Sequence, residues 1–531
     1  RPPHEPADKP AMKLAFQIIL PGLLSLSAAA QDVRWTGALS EFWDNSRNWA
    51  RATPPNSDGD VVFPANALRK ACQNNLPAGT ALSKLVFDAG GYVIEGNPLR
   101  IKSGGIILAD GTAAERVVSL RLPLTLGASQ TFSIGGLSGS ADGLLLHLKG
   151  AVSMGDFPLQ IEGGDAVLDA PVTANMRGGT ALKFTGIGVK TISQGVTITA
   201  PRIEISGLAG HVRLLGEVVA DTMLVTALLP QTPGKGGVLS GTGRVEADCR
   251  VLRYGVLSPG VEGFGRLRMD KNLVLGGDSL VEIELGNPSS AGKTHDQVRV
   301  QGAVEIQTGA SLLIKPGAGF APVAGQAYTV LEKTGAGPVT GRFQNLPQGA
   351  TIRVGEATML VSYTGGDGND VTVTVVDLPP AISAIPAQTV HEDGRVTVAF
   401  TVSDPNTDLS ALRVSLRGGQ VTASFSGAGA ARTATIRPQP DFFGQTTVTL
   451  EVSDATVSTR RSFELEVLPV NDTPSFTAAP VIEFVRGALQ SRAAASNVSA
   501  GPGEEQALAF EVLSVSNPQL FRVLPDRKSV V

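Results

Sequence analysis

Apolar residues along this 531-residue chain recur at every second position, in short runs. Leu120, Leu122, Leu124 and Leu126 form one run; Leu159 with Ile161, Val196 with Ile198, Ile203 with Ile205 and Val212 with Leu214 form others. That period places alternate side chains on opposite faces of a strand. From residue 31 on, no stretch sustains the period of an amphipathic helix, so no helix longer than about three turns is expected. Clusters such as Gly163-Gly164-Asp165 and Gly178-Gly179 break the runs where turns belong. Two all-β architectures suit this pattern, a coiled parallel β-solenoid or packed sandwiches. Very short strands, Gly-rich turns and scarce aromatics favour a β-helix-like solenoid through 80–285, within a region assigned to it as far as 376. A single rung cannot bury its own apolar face, so stacked neighbours supply the core.

The pattern changes after Pro379-Pro380, a chain break that marks a domain border. Strands are expected at 396–402, 412–416, 433–436, 446–452 and 462–467. Short alternating strands in a module over 379–471 predict an immunoglobulin-like β-sandwich. A partial second repeat is expected over 472–525.

Composition agrees with a secreted β protein. Gly numbers 62, charged residues are 17% and aromatics 5%. The net charge of -4 leaves no basic field for nucleic acid. Met12-Lys13, the apolar run 14–26 and the small residues Ala28 and Ala30 predict a cleaved secretory signal over 12–30. Residues 31–79 are then an N-terminal Trp-rich cap. Residues 1–11 are expected to be a non-native upstream segment. The tail 526–531 is what a common sequencing adapter would encode, so the natural protein is expected to run on. No later segment is long and apolar enough to span a bilayer as a helix. Any membrane attachment is expected through an unseen C-terminal anchor. Cys72 and Cys249 lie far apart, and two such residues make no disulfide framework.

Trp35-Thr36-Gly37, Phe42-Trp43-Asp44, Asn48-Trp49 and the run from Pro54 to Phe63 resemble the opening of autotransporter-like, β-strand-repeat surface proteins. Further on, Gly241-Thr242-Gly243, Gly255 to Gly260, Asp296-Gln297-Val298, Gly319 to Pro322, Phe343 to Gly349 and Tyr363 to Asp370 are similar to that family's rung signatures. The resemblance spans about 34–376. Trp35, Trp43 and Trp49 cap the first rung, which a solenoid needs to cover its open end. The alternative is a glycan-stacking platform. Gly365-Gly366-Asp367-Gly368-Asn369-Asp370 also invites a calcium-repeat reading. One copy cannot furnish calcium's roughly six to eight oxygens, so a turn before a strand is expected.

The C-terminal module resembles bacterial cadherin-like tandem repeats. The matching residues are Glu392-Asp393-Gly394, Val402-Ser403-Asp404, Asp441-Phe442-Phe443-Gly444, Val452-Ser453-Asp454 and Val470-Asn471-Asp472-Thr473-Pro474. The resemblance implies calcium where repeats meet. Asp377, Asp404, Asn406 and Asp454 would share one site, and Glu392, Asn471 and Asp472 a second.

Catalytic signals are thin. Asp165 with Asp169, and Glu282 with Glu284, are spaced carboxylates of the kind polysaccharide enzymes use. Solvated outer-face charge explains them as well. None of His147, His211, His295 and His391 stands in a metal-binding spacing, and no G-x-S-x-G elbow or phosphate loop occurs. The expected function is therefore non-enzymatic: a bacterial cell-surface or secreted structural or adhesive protein. Its solenoid stalk would present cadherin-like repeats to a glycan, matrix or cell-surface protein. The alternative is a carbohydrate-active β-helix enzyme, a lyase or hydrolase, with accessory binding modules.

Overall fold

Alternation of apolar and polar residues builds almost the whole molecule from strands. A computed structural model of the chain describes residues 32–56, 58–109, 115–135, 144–207, 210–227, 236–287, 292–483 and 492–520, with a short backbone strand at Ser529–Val530. The expected signal segment, residues 1–11 and most of 526–531 lie outside the described residues. Among those described, the helices are single 3₁₀ turns at Ser46–Asn48 and Pro518–Leu520. None is long and apolar enough to cross a membrane. The chain divides into two units.

The first unit, residues up to 261 with 267–281 and 300–311, is a parallel coil. Its strands stack in register, so the apolar position of one rung lies over that of the next. One buried column runs Val61, Leu85, Ile106, Phe132, Ile161, Phe184, Ile205, Val225, Val251, Leu275 and Ile306. A second runs Leu99, Leu124, Val152, Val172, Ile198, Val218, Val245 and Met269. A separate sheet contributes Cys72, Ile94, Leu120, Leu148, Leu168, Ile192 and Leu214. The coil begins earlier than 80, because Val33–Arg34 already pairs with Val61–Val62, and Asp60–Phe63 with 84–87. The cap expected over 31–79 therefore contains working rungs.

Corners need glycine where rung backbones touch. Gly163 has φ +84°, and a Cβ there would stand 2.0 Å from the Ile134 carbonyl oxygen. Gly186 stacks above it with φ +83°, and its Cβ would meet Gly163 N at 2.4 Å. A side chain at either place would force the coil open.

One core column carries a charge. Lys190 stands between Ala166 and Val212 and is fully buried. Small Ala166 leaves room for its stem. Its Nζ donates to the carbonyls of Gly163 at 2.8 Å, Thr185 at 2.7 Å and Gly188 at 2.9 Å, which uses every ammonium hydrogen. Burial pushes the ammonium down to about 8, against the pull of Asp165 and Glu162. Both thiols, Cys72 and Cys249, are free and buried, and burial pushes each up to about 12.

The second unit comprises 262–266, 282–299 and residues from 312 on. Its Asp296 is buried, with Oδ1 accepting from Gly265 N and Oδ2 from Glu284 N, both at 2.8 Å. Burial pushes this carboxyl up to about 7 despite those donors. Beyond, Ala327–Lys333, Ala357–Gly365 and Asp370–Asp377 pair antiparallel, as does Thr351–Val354 with Ala357–Gly365. The solenoid expected to reach 376 thus gives way to hairpins here. Local turns, such as the Gly355 turn with φ +57°, reverse the chain within a few residues, which a parallel rung cannot do.

After Pro379-Pro380 come two four-stranded sheets. One holds Ala381–Ile382, Val396–Ser403, Ala431–Pro438 and Val421–Ser426; the other holds Gln388–His391, Ser458–Leu468, Gly444–Ser453 and Arg413–Gly418. Alternate residues of both, including Val398, Phe400, Val402, Ile436, Val448, Leu450, Phe463 and Leu465, close on one core. Past 472, Ser475–Ala478 pairs antiparallel with Ala495–Ser499.

Two outcomes test this account of the coil. Phe184→Ala should cost about 3–5 kcal/mol, read as a lower urea midpoint, because the column leaves no side chain free to fill the gap. A loss under 1 kcal/mol, on the order of an exposed site, would contradict the column. For Lys190 the sign follows from linkage. A lysine with a depressed folded value binds fewer protons folded than unfolded between about 8 and its ordinary value near 10.4, so raising pH through that window favours the folded state. The midpoint of the natural chain should rise relative to Lys190→Met between pH 7 and 10. Parallel profiles would show that Lys190 does not titrate there.

Candidate functional site

The three tryptophans gather at the first rung. Trp35 and Trp43 are fully buried and Trp49 is 3% exposed. Trp49 meets Trp35 and Trp43 edge-on at 4.9 and 5.9 Å, and Trp43 leans on Phe63 at 5.6 Å. The indole nitrogen of Trp35 donates to Arg69 O at 2.7 Å and that of Trp49 to Trp43 O at 2.8 Å. Buried Asn48 fastens the covering loop, accepting from Leu39 N and Ser40 N and donating to Phe42 O. A glycan platform needs an indole face open to a sugar ring, and these have none. The platform expectation is corrected: Trp35, Trp43 and Trp49 form a cap.

At the first junction Asp377 meets Asn406 directly, while Asp404 and Asp454 each bond within their own loops. Asp377 ends its strand and is buried. Its Oδ1 accepts from Asn406 Nδ2 at 2.7 Å and its Oδ2 from the Thr456 hydroxyl. Asn406 Oδ1 accepts from Leu378 N at 3.0 Å. Asp404 Oδ1 accepts from the amides of Asn406 and Thr407, and Asp454 Oδ1 from those of Thr456 and Val457. These are Asx turns, which bend the chain at strand ends. Asp404 Oδ2 and Asp454 Oδ2 are buried without a partner. Each oxygen of Asp377 accepts one hydrogen bond. Among the described residues no three His, Cys, Asp or Glu side chains are gathered to hold a metal ion. Asp377 is tied by hydrogen bonds to the loops of Asn406 and Thr456. Thr456 is absent from the expected set, and only the fold brings it within reach of Asp377.

The second junction differs in charge. Buried Glu392 accepts from Val470 N at 2.6 Å through Oε1, while its Oε2 is buried with no partner. Asp472 N donates to Glu504 Oε1 at 2.9 Å, and Gln506 Nε2 donates to Asn471 Oδ1 at 2.6 Å. Desolvation, then Glu504, Asp393, Asp441 and Glu392, hold the Asp472 carboxyl above the usual range. An unpartnered oxygen among like charges is a donor set suited to a hard cation, although these groups are not gathered around one point. Asp393, Asp441 and Glu504 were not among the residues expected here.

The spaced carboxylates are engaged along the coil. Asp165 Oδ1 accepts from Val189 N at 2.7 Å. Asp169 binds His147 through one oxygen and the Ser193 hydroxyl through the other, from rungs 22 and 24 residues away. Glu282 pairs with Lys315 at 3.1 Å, and Glu284 faces outward. His211 Nε2 lies 2.7 Å from Ser240 Oγ.

No protein-family profile and no curated protein matches the chain. Among solved structures it is similar to a titin M10–obscurin-like 1 immunoglobulin complex, at 14% identity and TM-score 0.14, over 18% of this chain and 97% of that one. A variant of the SrpA adhesin from Streptococcus sanguinis matches at 16% and 0.14, over 19% and 65%. The endo-fucoidan hydrolase MfFcnA4 matches at 13% and 0.16, over 28% of each chain. Each likeness is confined to a fraction of this chain, at a score too low to carry function.

Asp377→Ala tests the joint. It strands the amide of Asn406 and the hydroxyl of Thr456, so the melting temperature should fall by the equivalent of about 1–3 kcal/mol. Limited proteolysis should then cut near 378 faster. Unchanged melting and cleavage would mean that the hydrogen bonds do not hold the joint.

Proposed function

We propose that this chain is a bacterial cell-surface or secreted structural protein. Its parallel coil serves as a stalk, and its two-sheet domain, immunoglobulin-like and cadherin-like in plan, is presented for adhesion to a glycan, matrix or surface protein. The observation that carries this reading is the apolar column from Val61 to Ile306, filled at every rung. Such a column stiffens a rod and leaves no groove inside it. Outer faces carry charges matched across rungs. Arg244 pairs with Glu217 and Asp270, Lys84 with Asp60 at 3.0 Å and Lys183 with Glu204 at 2.9 Å.

Calcium belongs to this reading at the second junction. There Glu392, Asp472 and Glu504, with Asn471, Asp393 and Asp441 beside them, would hold the ion. The ion would neutralise their repulsion and fasten the next repeat. In chelator the sign is fixed by Asp472. A raised folded value means that its contribution is present below about pH 4 and is lost as pH rises through the folded value.

Two measurements test the proposal. Incubated with a panel of acidic polysaccharides, the full chain should release no reducing ends; turnover abolished by Asp169→Asn would favour the enzyme instead. At pH 7, calcium at a hundredfold excess over Kd should stabilise the full chain by about 2.7 kcal/mol. Glu392→Gln and Asp472→Asn should lose that response, while Asp404→Ala melts lower yet keeps it. A response lost in Asp404→Ala and kept in Asp472→Asn would move the ion to the first junction.

A further inference from the structure

The two-sheet domain has four sheet edges, and three are blunted. Ala381–Ile382 is two residues long and follows Pro379-Pro380. Gln388–His391 is four residues long and follows Pro386 within two positions. Arg413–Gly418 carries Arg413 and Arg417 and has a bulge between Leu416 and Gly418. Short length, proline, charge and bulges are the means by which natural sheets avoid pairing with other chains. The fourth edge, Val421–Ser426, has none of them. It reads Val-Thr-Ala-Ser-Phe-Ser and pairs with Ala431–Pro438 without a register shift.

Its free groups can be assigned. Gln439 N donates to Gln420 O at 2.9 Å, so Gln420 and Gln439 form a hydrogen-bonded pair. Antiparallel pairs alternate, so Thr422, Ser424 and Ser426 bond inward to Ala431–Pro438. Val421, Ala423 and Phe425 therefore turn their N–H and C=O groups outward. The same flank leaves apolar surface half covered. Ala423 and Phe425 pack on the core yet remain partly exposed, as do Val414 and Leu416 on the facing sheet.

We propose that Val421–Ser426 is a self-association edge, occupied by the same strand of a second copy, antiparallel about a two-fold axis at Ala423. In this register Ala423 faces Ala423 and Val421 faces Phe425 on the core side, while Thr422 faces Ser424 outside. The outward-turned residues are those a hydrogen-bonded pair uses. An aromatic set opposite a β-branched residue is a favourable cross-strand pair, and small residues at the axis let the backbones close. No charge on the strand opposes its own copy. A copy seated on Arg413–Gly418 would instead set Arg413 and Arg417 against their own kind. This inference is independent of calcium and of the stalk's ligand.

Sedimentation velocity of the full chain should show a concentration-dependent dimer. Ala423→Pro removes an outward N–H that Ala431–Pro438 does not use, and should raise the dimer dissociation constant at least tenfold without changing the far-ultraviolet spectrum. A separate test does not depend on that variant folding. Across the axis the two copies of Ser424→Cys are diagonal neighbours, about 7–8 Å apart, and a short bis-maleimide should join them. Buried Cys72 and Cys249 should not react. A chain that stays monomeric at every concentration overturns the proposal, and that result would leave the edge to a strand of another protein. A dimer that is unaffected by Ala423→Pro and not joined through Ser424→Cys also overturns it.

Discussion

Short parallel strands, taken one turn at a time, have an apolar side and two open edges. Neither is tolerable in water unless another turn lies above and below. In this chain the in-register stacking of apolar side chains is the constraint on which the rest depends. Phe132 over Ile161 over Phe184 is buried only because each neighbour is present. Stability of this kind is a sum of nearest-neighbour terms, so the terminal turn needs a lid. The tryptophan cluster supplies it with large rings, two of which, Trp35 and Trp49, tie their indole nitrogens to the backbone.

Departures from the apolar column follow the same logic. Lys190 enters a core position because three carbonyls at one corner receive its ammonium and Ala166 below it is small. Asp296 is held by two backbone amides, one on each oxygen. Both groups are buried at the cost of shifted proton affinities. At the first junction the same means, a neutral donor on each carboxylate oxygen, holds Asp377 to two loops of the sheet domain.

The period-2 runs made the strands legible, and Gly163-Gly164 marked a corner that only glycine permits. The strands on either side of Asp454 were equally plain in the chain. Register was not. Leu145 pairs with Asp165, Ala166 with Lys190 and His211 with Val238, so turn length varies from rung to rung. Without a fixed repeat, nothing in the chain aligned His147 with Asp169 and Ser193. The tryptophans showed where an end must be, but an aromatic cluster looks alike whether it is buried or exposed. Of the residues expected beside Asp377, Asn406 reaches it directly. The donor to the second oxygen of Asp377 is Thr456, far along the chain.

Amide hydrogen exchange of the native chain, followed strand by strand, tests the stacking account most directly. If each turn is held by the turns beside it, protection should be highest in the central strands, such as Arg202–Ile205 and Glu217–Val225, and should decline toward both ends of the coil. Central strands that exchange as fast as the terminal ones would contradict it, as would one turn protected while both of its neighbours are open.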